Sequence, residues 1–245
     1  MKHLDLFSGI GGFALAAKWA GIETVGFCEI EEFPRKVLEK NFPGVPIHHD
    51  IRELNGEEYA GIDIVTGGYP CQPFSVAGKR KGEKDDRHLW PEMLRVITQA
   101  RPTWVVCENV SGHITMGLDT VLTDLEKEGY SARAVVIPAC AVNAEHQRNR
   151  VWIIGNANSS DAARVKRPDR KNFHIEKRQA SENVEARSFG VAELGAREVT
   201  FRATTYAESL RELDGIPDRV DRLKSLGNAI VPQVAYEILT AIKSC

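Results

Sequence analysis

An α/β fold with a mainly parallel sheet is predicted by three observations. Short apolar runs alternate with stretches of helical periodicity along the first two thirds of the chain. A glycine-rich turn follows the first apolar run, Ser8-Gly9-Ile10-Gly11-Gly12. A loop rich in glycine and proline follows the fourth, Gly67-Gly68-Tyr69-Pro70-Cys71. Repeated strand–helix–strand units place helices on both faces of a parallel sheet, and turns after such strands gather at its carboxyl edge.

The elements follow in order. His3–Phe7 reads as a strand, and Phe13–Ala20 as the helix that leaves the glycine turn. Thr24–Cys28 is a second strand, Glu32–Asn41 a helix, Val45–His48 a short strand and Ile62–Thr66 a fourth. His88–Ala100 has helical periodicity, Trp104–Cys107 is an apolar strand, and Leu118–Glu128 is a helix closed by Gly129. Arg133–Ile137 and Val151–Ile154 are two more strands. From Asn156 to Arg222 the chain turns polar and irregular, and Ile230–Ile242 resumes helical character after Gly227-Asn228. The expected organisation is a catalytic and cofactor-binding domain over residues 1–155, a reduced recognition region over 156–222, and a returning helix over 223–245.

Composition narrows the class. With 42% hydrophobic and 27% charged residues the chain belongs with ordinary globular proteins, which excludes disorder and fibrous repeats. No apolar run is long enough to span a bilayer, so a cytoplasmic protein is expected, with no membrane partner. The five cysteines form no C-x-x-C pair, so neither a metal site nor a disulfide framework is expected. A net charge of −2 means that any phosphate-binding surface is local. Arg164–Arg178 carries seven basic residues against two acids, a pattern that a solvated face explains at least as well.

Several residues carry chemistry. The glycine turn allows close approach of a ligand, although its Gly9-x-Gly11-Gly12 spacing is not the dinucleotide fingerprint. Glu29, at the end of the second strand, can accept hydrogen bonds from both hydroxyls of a ribose, which suits an adenosine-containing cofactor. Asp50 could meet an adenine amino group or cap the turn that follows it. Cys71, between two prolines, sits in a loop that can continue neither as strand nor as helix, and a held, accessible thiol is what a nucleophile needs. Glu108 is expected to emerge past the fifth strand, where partial burial raises a carboxyl pKa. Arg148 and Arg150 are expected on one side by period-2 spacing, suited to a phosphate or a carbonyl oxygen.

Five blocks then match a family in order: Asp5–Phe13, Gly68–Ser75, Glu108-Asn109-Val110, His146–Arg150 and Gly227–Pro232. The chain resembles the DNA cytosine-C5 methyltransferases of bacterial and phage type. The resemblance implies a Rossmann-like, S-adenosylmethionine-dependent methyltransferase fold with a small, irregular target-recognition segment. It implies an enzyme that methylates carbon 5 of a flipped-out cytosine in double-stranded DNA through a covalent Cys71 adduct, as part of restriction–modification. Phe7, Gly9, Gly11, Gly12, Glu29, Ile30, Asp50, Ile51 and Asn228 would line the S-adenosylmethionine pocket. Cys71, Glu108, Arg148 and Arg150 would face the base, and Gln72, Ser75, Lys79, Arg80 and Lys81 would meet DNA. A monomer is expected, with a cognate restriction endonuclease as partner. Alternatives are a transfer-RNA methyltransferase, a degenerate DNA-binding member without turnover, and, ranked last, a Cys71–His146 thiol hydrolase.

Overall fold

The computed structural model describes residues 1–70, 89–142, 148–157 and 219–245. Its centre is a seven-stranded sheet in the order β3-β2-β1-β4-β5-β7-β6. The strands are β1 (Lys2–Leu6), β2 (Glu23–Cys28), β3 (Ile47–His48), β4 (Ile64–Gly67), β5 (Trp104–Val110), β6 (Ser131–Pro138) and β7 (Asn149–Asn156). β1 to β5 pair in parallel, whereas β7 runs antiparallel to both β5 and β6.

The helices are α1 (Gly12–Trp19), α2 (Glu32–Asn41), α3 (Trp90–Ala100), the single turn α4 (His113–Met116), α5 (Leu118–Lys127), α6 (Arg219–Asn228) and α7 (Pro232–Lys243). Strand alternation divides them between two faces. Ile64, Val106 and Trp152 point to one face, where they meet Phe13, Ala16 and Ala17 of α1 and Ala235, Ile238 and Leu239 of α7. Val65, Val105, Cys107 and Ile153 point to the other and meet Met93, Val96 and Ile97 of α3 and Val121 and Leu125 of α5. Because both faces are covered, β1, β4 and β5 bury nearly every side chain, including the polar His3 and Asp5 of β1.

The described residues 1–70, 89–142, 148–157 and 220–245 belong to one compact unit. Helix α6 begins at Arg219, inside the stretch that the sequence reading left irregular up to Arg222. Among the described residues, no helix is long and apolar enough to cross a membrane.

The strand order reverses at β1 and β4: β2 and β3 lie beyond β1, and β5 lies beyond β4. Open α/β sheets bind ligands in the crevice at such a switch point, outside the carboxyl ends of the strands. The glycine turn leaves β1 and the segment Gly68–Pro70 leaves β4 at this crevice. The two loops singled out by sequence thus flank one site.

Candidate active site

The first side of the crevice is built on a strained turn. Phe7 at the end of β1 has φ 53°, Gly9 φ 52° and Gly11 φ 88°. For Phe7 that conformation costs on the order of 1–3 kcal/mol, so the surroundings must hold it. Ser8 supplies part of the hold: its Oγ donates to the Asp5 carbonyl at 2.6 Å and its N–H to the Cys28 carbonyl at 3.1 Å. Close packing explains two of the glycines. A Cβ on Gly11 would fall 2.9 Å from Leu38 Cδ2, and one on Gly12 would fall 2.7 Å from Ile230 Cγ1. A Cβ on Gly9 would meet nothing within 4 Å, so that side of the turn is open.

Glu29 ties this turn to the end of β2. Its Oε2 accepts the Gly9 N–H at 2.7 Å and its Oε1 the Glu31 N–H at 2.8 Å. Burial raises its pKa, and the two backbone donors offset part of that rise. Each oxygen keeps acceptor capacity beyond its backbone bond, so two hydroxyl donors can still be received. Beside it Ile30 is 61% exposed, an apolar ledge next to a buried carboxylate. Arg35 Nη1 donates to the Glu29 carbonyl at 3.3 Å and also to the Ile30 carbonyl. Asp50 accepts the N–H of Arg52 at 3.0 Å, the local turn bond that the sequence left as one alternative. The charges of Glu29 and Asp50 both add to the burial that pushes the Cys28 thiol up to about 12. Ile51 belongs to the core, with its carbonyl on Arg95 Nη2 at 2.6 Å.

This constellation fits an S-adenosyl nucleoside. A carboxylate with free lone pairs suits the ribose diol, an apolar ledge suits the adenine face, and an open glycine suits close approach. Glu29, Ile30, Gly9 and Asn228 are the residues expected from the sequence resemblance to hold it.

The second side is built on β5 and β7. β4 ends at Gly67 opposite Cys107, so Glu108 is the first β5 residue past the parallel ladder. Sequence reading ended this strand at Cys107. It continues to Val110 because β7 pairs with it in antiparallel fashion through Val110↔Arg150. Glu108 is 9% exposed, and its Oε1 meets Arg150 Nε at 2.7 Å. Burial raises the Glu108 pKa more than the Arg150 and Arg148 charges lower it. The carboxyl is therefore easier to protonate than an ordinary glutamate despite its partner.

Arg148 stands just before β7 with φ 27°, which breaks the two-residue alternation expected to align it with Arg150. Its Nη2 donates to the carbonyls of Gly227 at 2.8 Å and Ala229 at 2.7 Å, while its Nε is buried without a partner among the described residues. Both arginines still interact electrostatically with Glu108.

Sequence reasoning assigned no role to Asn109, whose place in the structure is informative. Its Nδ2 donates to the Tyr69 carbonyl at 3.1 Å and its Oδ1 accepts the Val110 N–H at 2.9 Å. The Tyr69 hydroxyl in turn meets His113 Nε2 at 2.7 Å. Asn109 thereby fixes the segment that leads through the exposed Pro70 to Cys71. The signal lay in the Glu108-Asn109-Val110 block, where a buried amide next to a catalytic candidate needs partners. Lys224 of α6, also unassigned by sequence, pairs with Glu31 at 2.6 Å, two residues past Glu29. Cys71, Gln72, Ser75, Lys79, Arg80, Lys81 and His146 lie outside the described residues. Of the described thiols, Cys28 and Cys107 are buried and held well above the ordinary cysteine range, so neither competes as a nucleophile.

Comparison with known proteins bears directly on this arrangement. Residues 1–197 match the family of C-5 cytosine-specific DNA methylases. The chain belongs to that family. It is 33% identical over 160 residues to the type II methyltransferase M.HgiCII of Herpetosiphon aurantiacus, an alignment covering 63% of this chain and 37% of that protein. It is 33% identical over 159 residues to the type II methyltransferase M.HhaI of Haemophilus parahaemolyticus, covering 63% and 48%. Among solved structures, a putative DNA modification methyltransferase encoded within an Escherichia coli prophage aligns with a TM-score of 0.56 at 26% identity, covering 64% of this chain and 46% of that one. The aligned part thus spans less than half of each of these three relatives.

Proposed function

We propose that the family member described here methylates carbon 5 of cytosine in double-stranded DNA, with Cys71 as nucleophile and S-adenosylmethionine as donor. The observation that carries this reading is the shared crevice. The Glu29-held glycine turn and the Glu108–Arg150 pair open on the same carboxyl edge of the sheet, on either side of the segment that leads into Cys71.

S-adenosylmethionine supplies an electrophilic sulfonium methyl group. Carbon 5 of cytosine is too weak a nucleophile to take that group unaided. Addition of the Cys71 thiolate to carbon 6 forms a carbon–sulfur bond and moves an electron pair toward carbon 5. Glu108, near ring nitrogen 3 and the amino group, stabilises the charge that builds on the ring, and its raised pKa allows it to share a proton there. Arg150 holds the ring carbonyl oxygen, and Arg148 supports the site. After methylation, loss of the carbon 5 proton returns an electron pair to the ring and breaks the bond to Cys71.

A stacked base offers none of these atoms, so the cytosine must leave the duplex at a cost of a few kcal/mol. Gln72, Ser75, Lys79, Arg80 and Lys81, which follow the nucleophile, are suited to hold the phosphates around it. Residues 156–222 stand where a target-recognition region is expected, and a cognate endonuclease would complete a restriction–modification pair.

The test is a duplex carrying 5-fluorocytosine, on which proton loss from carbon 5 is blocked. The full chain should form a covalent adduct that survives a denaturing gel, and Cys71→Ser should form none while still binding the cofactor. Methylation of ordinary duplex without trapping of the fluorinated one would overturn the covalent route. Methylation by Cys71→Ser at the normal rate would remove the nucleophile.

A further inference from the structure

Asn228, the cofactor contact implied by the resemblance, belongs to no strand of the sheet. It ends α6, and its neighbours Gly227 and Ala229 present carbonyls that no helical N–H can reach, as at every helix C-terminus. Both carbonyls accept from one atom, Arg148 Nη2, at 2.8 and 2.7 Å. The guanidinium reaches them from the residue that precedes β7, two positions before the arginine paired with Glu108. Its backbone adopts φ 27°, a left-handed value that a non-glycine residue holds only under constraint.

We propose that Arg148 is a positioning residue for the cofactor. By gripping the backbone on both sides of Asn228 it fixes that residue at the rim of the crevice, and it joins the base-facing strand to the cofactor-facing turn. The proposal rests on the methyltransferase reading for the identity of the ligand, but the grip itself does not.

Three further contacts show why one grip suffices. Lys224, one helical turn before Asn228, is anchored to Glu31 at 2.6 Å. Gly12 lies so near Ile230 that a Cβ would fall 2.7 Å from its Cγ1. The Ala229 N–H completes the helix on the Ser225 carbonyl at 2.9 Å. Contacts on both sides therefore seat the segment on the rim, and Arg148 holds the carbonyls between them. An arginine suits the task because its planar fork is pre-organised and it always carries a charge, which favours it at the negative end of a helix.

The experiment compares the full chain with Arg148→Ala, Arg148→Gln and Arg148→Lys. Amide hydrogen exchange over residues 226–234, without cofactor, reads the grip. Calorimetric titration with S-adenosylhomocysteine reads its consequence, and adduct formation with the fluorinated duplex at saturating cofactor reads the base side. Arg148→Ala should exchange about tenfold faster in that segment and bind S-adenosylhomocysteine about 10- to 50-fold more weakly. Its adduct rate at saturating cofactor should also fall, because Arg148 acts on the Glu108 carboxyl, but by a smaller factor than its affinity for S-adenosylhomocysteine. Arg148→Lys should recover part of both losses. Unchanged exchange in 226–234 would overturn the grip. An unchanged Kd with a collapsed adduct rate would assign Arg148 to the base instead. If the parent chain bound no S-adenosylhomocysteine, the methyltransferase reading would fall and the exchange result alone would decide the grip. Should Arg148→Ala not fold by circular dichroism, the Gln and Lys variants decide in its place.

Discussion

Replacing Glu29 by Gln separates the two tasks assigned to that side chain. As a carboxylate it accepts the Gly9 and Glu31 N–H groups through different oxygens, at 2.7 and 2.8 Å. Glutamine offers one oxygen and one amide nitrogen, so one of those N–H groups must face another donor. A hydrogen bond to a charged group contributes about 1.5–3 kcal/mol, which bounds the stability lost with it. Part of the loss is returned, because burial already disfavours the charged carboxylate and raises its pKa. A net destabilisation of about 1–2 kcal/mol at neutral pH is expected. The sign of its pH dependence follows from that raised pKa. The native chain takes the Glu29 proton before the unfolded chain does, so the parent gains stability as pH falls from the folded pKa toward the ordinary one, and the variant does not. Cofactor binding should suffer more, since two ribose hydroxyls lose a charged acceptor, and about 1.5–3 kcal/mol corresponds to about 10- to 150-fold in Kd. Urea unfolding and titration with S-adenosylhomocysteine measure the two effects on the same preparation. A stability loss with Kd changed less than about threefold would make Glu29 a tie for the turn and nothing more.

Other variants probe the second side and the core. Glu108→Gln breaks the 2.7 Å pair with Arg150 and removes the proton-sharing group, so adduct formation with the fluorinated duplex should slow by about 10²- to 10⁴-fold, read by rapid quenching. Asn109→Ala deletes the bonds to the Tyr69 carbonyl and the Val110 N–H. It should cost about 1–3 kcal/mol in urea unfolding and slow the adduct even though Cys71, Glu108 and Arg150 are intact. In the core, His3 lies between Thr24 and Thr66 at 2.9 and 2.7 Å, and Thr66 donates to Asp5 at 2.9 Å. Burial lowers the His3 pKa to about 3, so the unfolded chain takes that proton first and stability falls as pH drops from 6.5 toward 3. Burial raises the Asp5 pKa, which gives the opposite slope above its ordinary value of 3.8. Asp5→Asn should therefore leave the histidine unopposed and steepen the acid loss, by at most about 1.4 kcal/mol per pH unit, measured as denaturant stability between pH 6.5 and 4.5.

What the sequence disclosed and what it withheld divide along a physical line. The parallel half was legible because each strand there is a short apolar run followed by its own helix, and the pattern of β1-α1-β2-α2 is local. The site residues at its edge were legible for the same reason: turns after parallel strands share one edge whatever the details of packing. The direction of β7 depends on pairing distant in sequence, and no periodicity encodes it. Only the connection gave a hint. Pro138 and Asn149 are too close in sequence for a crossover helix between parallel neighbours, which favours an antiparallel return. The antiparallel return has a local consequence, since β7 extends β5 through Glu108 and draws Arg150 onto it. Helix α6 was hidden for a different reason. Its sequence, RVDRLKSLGN, has few apolar residues, and Leu226 is 61% exposed, so a hydrophobic stripe does not announce it. Polar contacts made after folding hold it, Lys224 to Glu31 at one end and Arg148 to the carbonyls of Gly227 and Ala229 at the other. Such an element depends on its partners for stability, and it will report their loss first. The edge of the candidate site built on α6 is thus the part that the sequence disclosed least and that distant substitutions should disturb most.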